Sequence, residues 1–151
     1  MAGKIAIGAD HGGFFLKEKI KTALKKARFV VEDLGTDSPD ASDYPRIGFD
    51  VAARVSSGKA KRGIVICKTG IGMAIIANKR RGVRAGVCNS VAEALSARRH
   101  NDTNVLVLAA TRISGEKAVR VVKAWLGAKA LGARHARRVR QIKALEKKVF
   151  K

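Results

Sequence analysis

Cys67 and the glycines that follow it are the residues of this sequence whose types and spacing could do chemistry. A short apolar run, residues 64–66, ends in Cys67, and a loop containing Gly70 and Gly72 leads into a second apolar run with helical character. A strand, a loop and a helix start in this order gather backbone N–H groups at one point, which attracts negative charge. A thiol beside such an anion hole can act as a nucleophile or a base, because the same field favours the thiolate.

Taken alone, this stretch has ordinary explanations. A single cysteine that ends a buried strand is usually a small apolar core residue, and many parallel-sheet proteins have a glycine loop after a strand. The loop also lacks the G-x-x-x-x-G-K-[ST] spacing of a P-loop and the G-x-G-x-x-G spacing of a dinucleotide-binding turn. A functional interpretation therefore requires other segments that point to the same place.

Asp10 and His11 form such a segment. They stand at the end of an apolar run, residues 4–10, which is typical of a parallel strand buried on both faces. Ligands bind at the carboxyl edge of open α/β sheets, so a carboxylate and an imidazole there are candidates for a site. The alternative for Asp10 is an N-cap of the helix pattern that follows.

The elements that must position these residues alternate along the chain, which indicates a parallel sheet covered by helices on both faces. The predicted strands cover residues 4–10, 29–34, 64–67, 84–87 and 105–109. The predicted helices pass through Leu16, Ile20 and Leu24 and cover residues 47–55, 73–78, 91–99 and 114–125, the last capped by Ser114 and stopped by Gly127.

The C-terminal segment departs from this alternation. A helix is predicted over residues 134–150, with one narrow apolar stripe that consists of Val139, Ile142, Leu145 and Val149. The other faces of this helix are almost entirely Lys and Arg. A single stripe with polar flanks tends to pack on another helix or subunit, so we expect this helix to dock on a partner chain.

Composition and charge limit the class of protein. The 151 residues suit one domain, residues 1–151, and the absence of a signal-like start or a long apolar run predicts a cytoplasmic protein without a membrane span. The net charge is +20, and residues 112–151 alone carry +11. Electrostatic binding of polyanions is a possible side property. The seven aromatic residues do not cluster with the basic runs, so specific nucleic-acid binding is not expected.

An ordered set of motifs covers nearly the whole chain, from residue 4 to about residue 142. The set is Asp10-His11-Gly12-Gly13, Gly35-Thr36, Asp43-Tyr44-Pro45, Cys67-x-Thr69-Gly70-x-Gly72, Asn78-Lys79, His100-Asn101-Asp102-x-Asn104 and Gly132-x-Arg134-His135-x-x-Arg138. Each motif is short, but together they resemble the type B ribose-5-phosphate isomerases and the related galactose-6-phosphate isomerase subunits.

The resemblance implies an α/β, Rossmann-like three-layer sandwich with a five-stranded parallel sheet. It implies a homodimer, with a tetramer as an alternative, whose active sites lie between subunits and bind a sugar phosphate. An isomerisation of this kind needs no metal, the sequence offers no clear metal site, and no cofactor is expected.

The resemblance also assigns roles to individual residues. Cys67 would be the base that moves a proton between C1 and C2, and the backbone of residues 68–72 would hold the enediolate oxygens. The catalytic residues would be Cys67, His100, Asp10 and Thr69, and the substrate-binding residues would be His11, Tyr44, Lys68, Gly70, Ile71, Gly72, Asn101, Arg112, Arg134 and Arg138. His100 and Asn101 would come from the partner subunit, and His11 and the three arginines would hold the phosphate.

The proposed isomerisation requires a base, hydrogen-bond donors, a proton shuttle and a phosphate-binding group. Isomerising an aldose to a ketose requires a base for a carbon-bound proton and fixed donors for the oxygen that gains charge. Opening the cyclic sugar calls for a proton shuttle such as His100, and arginine forks suit phosphate oxygens.

Lys68 departs from the family pattern, which has glycine after the cysteine. If this position requires a positive φ, lysine is strained there; if the backbone is ordinary, the ammonium adds positive charge near Cys67. The expected function is interconversion of ribose 5-phosphate and ribulose 5-phosphate. The alternatives are isomerisation of a six-carbon sugar phosphate, such as galactose 6-phosphate or allose 6-phosphate, and non-catalytic binding of phosphate or nucleic acid on the same scaffold.

Overall fold

Five parallel strands form a single sheet with helices on both faces in the computed structural model, which describes residues 3–150. The strands are β1 (Lys4–Ala9), β2 (Val30–Asp33), β3 (Arg62–Cys67), β4 (Ala85–Val87) and β5 (Val105–Ala109). The helices are α1 (Phe14–Lys26), α2 (Tyr44–Ser56), α3 (Ile71–Ala77), α4 (Val91–Asn101), α5 (Gly115–Gly127) and α6 (Ala133–Val149). The predicted α/β Rossmann-like architecture is confirmed.

The strand order β2-β1-β3-β5-β4 places the ends of β1 and β3 side by side. The chain adds β2 on one side of β1 and β3 on the other, so the connections diverge between β1 and β3. The register pairs Ala9 with Ile66, and Asp10 and Cys67 follow at the same edge. Open α/β sheets bind ligands at such a divergence, at the carboxyl ends of the strands.

Both faces of the sheet are buried, which explains why the strand sequences are almost continuously apolar. On one face, Ile7, Ile64 and Leu106 pack with the buried side chains of α1 and α5, including Trp125. On the other face, Val65 and the side chain of Cys67 pack with α2 and α3. Cys67 therefore belongs to the core and to the sheet edge at the same time.

Several helix boundaries differ from the sequence-based prediction; for example, α3 begins at Ile71 and α4 extends to Asn101. α2 begins at Tyr44 instead of residue 47, because Pro45 is accommodated in the first turn of a helix, where its missing N–H leaves no unpaired donor. α5 continues through Gly127, and the extended backbone of Ala128 ends it. The earlier start of α2 matters for function, since it fixes Tyr44 at a helix terminus.

α1 ends in a Schellman motif with an arginine in the left-handed position. Arg28 has φ 66°, and its N–H donates to the carbonyl of Lys25 at 3.0 Å. The N–H of Phe29 donates to the carbonyl of Leu24 at 3.0 Å. These bonds satisfy carbonyls that the helix leaves unpaired.

A buried lysine ties α1 to β2. Lys17 is almost fully buried, and its Nζ donates to Asp33 at 2.5 Å and to Glu18 at 2.9 Å. Lys21 donates to the same Asp33 oxygen at 2.6 Å. Burial opposes ionisation of Asp33, but the hydrogen bonds from both lysines outweigh it and lower the pKa of this carboxyl.

The apolar stripe of α6 is only partly covered by its own chain. Val139 is buried, whereas the exposed fraction rises along the helix to 74% at Val149. Ile142, Leu145 and Val149 line a groove of about 860 Å³ against β4 and α4. The docking of α6 on a partner chain stays a prediction.

Candidate active site

Cys67 ends β3 with its sulfur beneath the loop of residues 68–72. The residue is 5% exposed, and the N–H of Gly70 donates to Sγ at 3.2 Å. Gly70 has φ 77°, a conformation that glycine adopts without steric cost, and it precedes the first turn of α3. The turn therefore aims a fixed backbone donor at the sulfur, which stabilises negative charge there.

The loop after Cys67 is anchored to the chain that follows β5. The carbonyl of Lys68 accepts hydrogen bonds from the hydroxyl of Thr111 at 2.7 Å and from its N–H at 3.1 Å. Within the loop, Oγ1 of Thr69 accepts from the N–H of Ile71 at 3.3 Å. The backbone of the loop is thus positioned by β5 as well as by β3.

Lys68 has an ordinary backbone conformation. The non-glycine residues with positive φ in the described chain are Arg28, Asp102 and Ala133. Lysine at this position is therefore unstrained. Its side chain is exposed, and its stem lies over Gly12, where a Cβ would lie 2.5 Å from Cγ of Lys68.

Asp10 and His11 lie beside this loop, at the end of β1. Asp10 is buried, and its Oδ1 accepts from the N–H of Gly12 at 3.0 Å, so it does cap the 3₁₀ turn His11–Gly13. Nδ1 of His11 lies 3.1 Å from the N of Ser42 and 3.2 Å from its O, and the tautomer decides which contact is the hydrogen bond. Ser42, which belongs to none of the sequence motifs, fixes the orientation of this ring.

A cavity of about 500 Å³ brings most of the predicted residues together, and we call it the Cys67 cavity. Its volume lies in the range of small-molecule sites. A Cβ at Gly72 would lie 2.5 Å from Cζ of Tyr44, so only glycine admits the tyrosine ring here. Ile75, one turn after Ile71, was not predicted. The cavity is lined by Asp10, His11, Tyr44, Cys67, Lys68, Thr69, Ile71, Gly72 and Ile75.

His100 and Asn101 lie at the opposite edge of the sheet from Cys67, where the strands begin. α4 ends at Asn101, and β5 begins at Val105, which lies beside Gly63 near the start of β3. Cys67 is at the other end of β3, roughly 13 Å from Gly63 at ~3.3 Å per residue. The end of α4 therefore cannot reach the Cys67 cavity of its own chain.

Arg134 and Arg138 lie on the first turns of α6, at the same edge as His100. The N–H of Leu131 donates to the carbonyl of Arg99 at 2.9 Å and holds this segment against the end of α4. Arg112, by contrast, follows β5 at the edge of Cys67 but does not line its cavity. The residues at the far edge are named here the His100 cluster: His100, Asn101, Arg134, His135 and Arg138.

His135 stacks on His100. The ring centroids are 4.2 Å apart and the rings are within 9° of parallel. Partial desolvation, the neighbouring His100 and the guanidinium groups of Arg134 and Arg138 lower the pKa of His135. The motif around Gly132 contained His135, but no signal in the sequence indicated that it contacts His100.

Cys88 differs from Cys67 in its surroundings. It is buried beside β4, and burial, followed by the charge of Glu93, raises the pKa of its thiol to about 11. Its sulfur lies 3.8 Å from the carbonyl oxygen of Gly86. Cys88 therefore remains a neutral thiol at physiological pH.

A known protein family matches this chain over most of its length. Residues 5–142 match the family model described as Ribose/Galactose Isomerase. The chain belongs to this family. A relative from Escherichia coli (strain K12), named ribose-5-phosphate isomerase B, is 45% identical over 145 residues, which cover 96% of this chain and 97% of the relative.

Solved structures of family members agree with the fold. The ribose-5-phosphate isomerase B of Clostridium thermocellum superposes with a TM-score of 0.94 at 46% identity, covering 97% of this chain and 99% of that chain. The Mycoplasma genitalium enzyme, solved with bound ribulose-5-phosphate, gives 0.92 at 39% identity, covering 95% and 96%. The predicted family, and with it an aldose-ketose isomerase, is confirmed.

Two further findings concern the whole described chain. Within residues 3–150, none of the helices combines the length and apolar character needed to cross a bilayer. In the same residues, no three or more His, Cys, Asp or Glu side chains are grouped so that they could hold a metal ion.

Proposed function

We propose that this chain interconverts ribose 5-phosphate and ribulose 5-phosphate with Cys67 as the base. The observation that carries the proposal is the Cys67 cavity, in which a sulfur, a backbone donor 3.2 Å from it, a carboxylate and an imidazole meet at one sheet edge. Two family members that match nearly the whole chain are named ribose-5-phosphate isomerase B.

The isomerisation moves one proton between neighbouring carbons. The Cys67 thiolate takes the proton from C2 of the open-chain aldose, and the electrons of that bond form C1=C2 while O1 gains negative charge. Backbone N–H groups of residues 68–72, with Thr69, stabilise this enediolate. The thiol then delivers the proton to C1, and transfer of the O2 proton to O1 leaves the ketone at C2.

Substrate binding is divided between the two groups of residues. His11 and Lys68 bring positive or hydrogen-bonding groups to the Cys67 cavity, and Tyr44 forms its wall. The His100 cluster supplies groups for ring opening and for phosphate, but it lies at the opposite edge of the same chain. In a homodimer, the His100 cluster of each chain completes the Cys67 cavity of its partner.

Cys67→Ala tests the mechanism. Removing the only thiol of the Cys67 cavity should lower kcat/KM for ribose 5-phosphate by about 10²–10⁴-fold, the usual contribution of a positioned base. Cys88→Ala is the matched control and should stay close to wild type. Near-normal turnover by Cys67→Ala would exclude the thiol as the base.

A six-carbon sugar phosphate is the second candidate substrate, since the family description includes galactose isomerases. An isomerisation assay on a panel of five- and six-carbon sugar phosphates decides between the two. A higher kcat/KM for galactose 6-phosphate or allose 6-phosphate would replace ribose 5-phosphate as substrate. Turnover of none of them would favour a binding protein.

A further inference from the structure

The stack of His100 and His135 joins two helices at the edge opposite Cys67. The rings are nearly parallel, with centroids 4.2 Å apart. The segment that precedes α6 is held against the end of α4 by a hydrogen bond of 2.9 Å from the N–H of Leu131 to the carbonyl of Arg99. Within residues 3–150, no hydrogen bond holds the imidazole of His100, and the stack places a flat ring directly against it.

The charges around the stack come from both helices. On α6, Arg134 precedes His135 and Arg138 lies one turn further on. On α4, Arg99 precedes His100. Directly after this helix, the carboxylate of Asp102 is already shared by Arg98 at 2.8 Å and Arg84 at 3.2 Å.

Protonation of both stacked rings is electrostatically unfavourable. Two imidazolium rings in contact would repel each other, and the guanidinium groups of Arg134 and Arg138 oppose even the first proton. A phosphate dianion bound by these arginines removes that opposition, because its two negative charges balance their two positive charges.

We propose that His135 is a positioning residue for His100, and that the stacked pair takes up one proton when a phosphate ester binds to Arg134 and Arg138. This inference rests on the proposed function. It makes the acid for ring opening available only on a chain that has bound a phosphorylated sugar.

The ring-opening step uses the proton that the stacked pair has taken up. The bond between C1 and the ring oxygen breaks, and the ring oxygen takes the proton of the imidazolium. The anomeric hydroxyl loses its proton to the carboxylate of Asp10 on the partner subunit, and C1=O forms. An unphosphorylated sugar would not protonate the pair and would open slowly.

Imidazole titration by NMR tests the proposal without using isomerase activity. The chain has three histidines, so single substitutions assign every ring. In wild type, saturating inorganic phosphate should raise the pKa of His135, since it removes the repulsion from the two arginines. In His135→Phe, the ring-current shift on His100 should persist, whereas His135→Ala should lose it.

Kinetics on the cyclic substrate separate positioning from a structural role. His135→Ala should lower kcat about tenfold with unchanged thermal unfolding, and the flat ring in His135→Phe should restore much of that loss. Lys143→Ala, on an exposed turn of α6, is the control and should have no effect on kcat.

The proposal would be overturned if phosphate left the pKa of His135 unchanged, or if the His135→Ala variant kept the kcat of wild type. Absence of isomerisation in wild type together with the phosphate-dependent titration would refute the proposed function alone.

Discussion

The two cysteines show how surroundings decide the chemistry of one residue type. Cys67 has a backbone N–H directed at its sulfur and an open cavity beside it. Cys88 lies in an apolar environment near the carboxylate of Glu93, which disfavours a second negative charge. Only the first arrangement supports proton transfer to and from carbon.

The buried thiol of Cys88 should make stability depend on alkaline pH. Its pKa is raised from 9.0 to about 11 in the folded chain, so the folded state holds the proton more tightly than the unfolded state. The associated stability is complete below about pH 9 and is lost as pH rises toward 11. Two pKa units correspond to about 2–3 kcal/mol.

Urea unfolding at pH 8 to 11 measures this contribution. The unfolding free energy of wild type should fall by roughly 2–3 kcal/mol more than that of Cys88→Ala over this interval. Lys and Tyr titrate equally in both proteins and cancel in the comparison. Parallel pH curves would show that the Cys88 thiol does not contribute.

At the scale of elements, α2 and α3 meet at the first turn of each helix. The ring of Tyr44 occupies the space where a side chain on Gly72 would lie, 2.5 Å from the Cβ position. Because tyrosine is fixed by Pro45 and the start of α2, neither helix can shift without disturbing the other. This contact also forms one wall of the Cys67 cavity.

Gly72→Ala should therefore destabilise the protein by about 1–3 kcal/mol through overpacking. It should also raise KM, since the Tyr44 ring must move relative to the cavity. Gly127→Ala is the matched control, because a Cβ there meets no atom within 4 Å. Denaturant unfolding and steady-state kinetics on both variants check the prediction, which fails if the two behave alike.

The elements themselves could largely be predicted from the sequence. Apolar runs such as residues 105–109 have a simple physical cause, burial on both faces of a parallel sheet. The start of α2 could not, because the residues around Pro45 allow either a loop or a first helical turn. The backbone of Lys68 was equally undecided, since φ depends on how β5 anchors the loop.

At the scale of the molecule, the predicted site residues separate into two groups at opposite sheet edges. The motifs predicted which residues form the site, and the residues of the Cys67 cavity could be placed together because strand ends share an edge. The stack of His135 on His100 could not be predicted, because it depends on how α6 crosses α4.

Mixed dimers should recover activity that neither parent has. Chains carrying Cys67→Ala and chains carrying His100→Ala each spoil both sites of a symmetric dimer. In a heterodimer, one site has both defects and the other has none. Refolding the two variants together at equal amounts should restore about one quarter of wild-type activity, because half of the dimers are mixed and each has one intact site.

The mixture must be shown to contain heterodimers, for example by a charge tag on one parent. No recovery in verified heterodimers would contradict a site shared between subunits.

The net charge of +20 predicts electrostatic binding to polyanions. Affinity for double-stranded DNA should fall steeply with salt, in proportion to the phosphates that the protein neutralises, and should not depend on DNA sequence. Titration at several salt concentrations with two unrelated duplexes measures both properties. Salt-resistant binding to one duplex alone would instead indicate specific recognition.

Arg28, at the end of α1, is a position at which a substitution by glycine would raise the stability of the chain. An L-residue in the left-handed conformation costs roughly 1 kcal/mol that glycine avoids. Arg28 lies outside the Cys67 cavity and the His100 cluster, so function does not constrain it through either group. A single base change converts an arginine codon to glycine. A lineage that moves to a warmer habitat therefore has a route to greater stability that leaves its chemistry untouched.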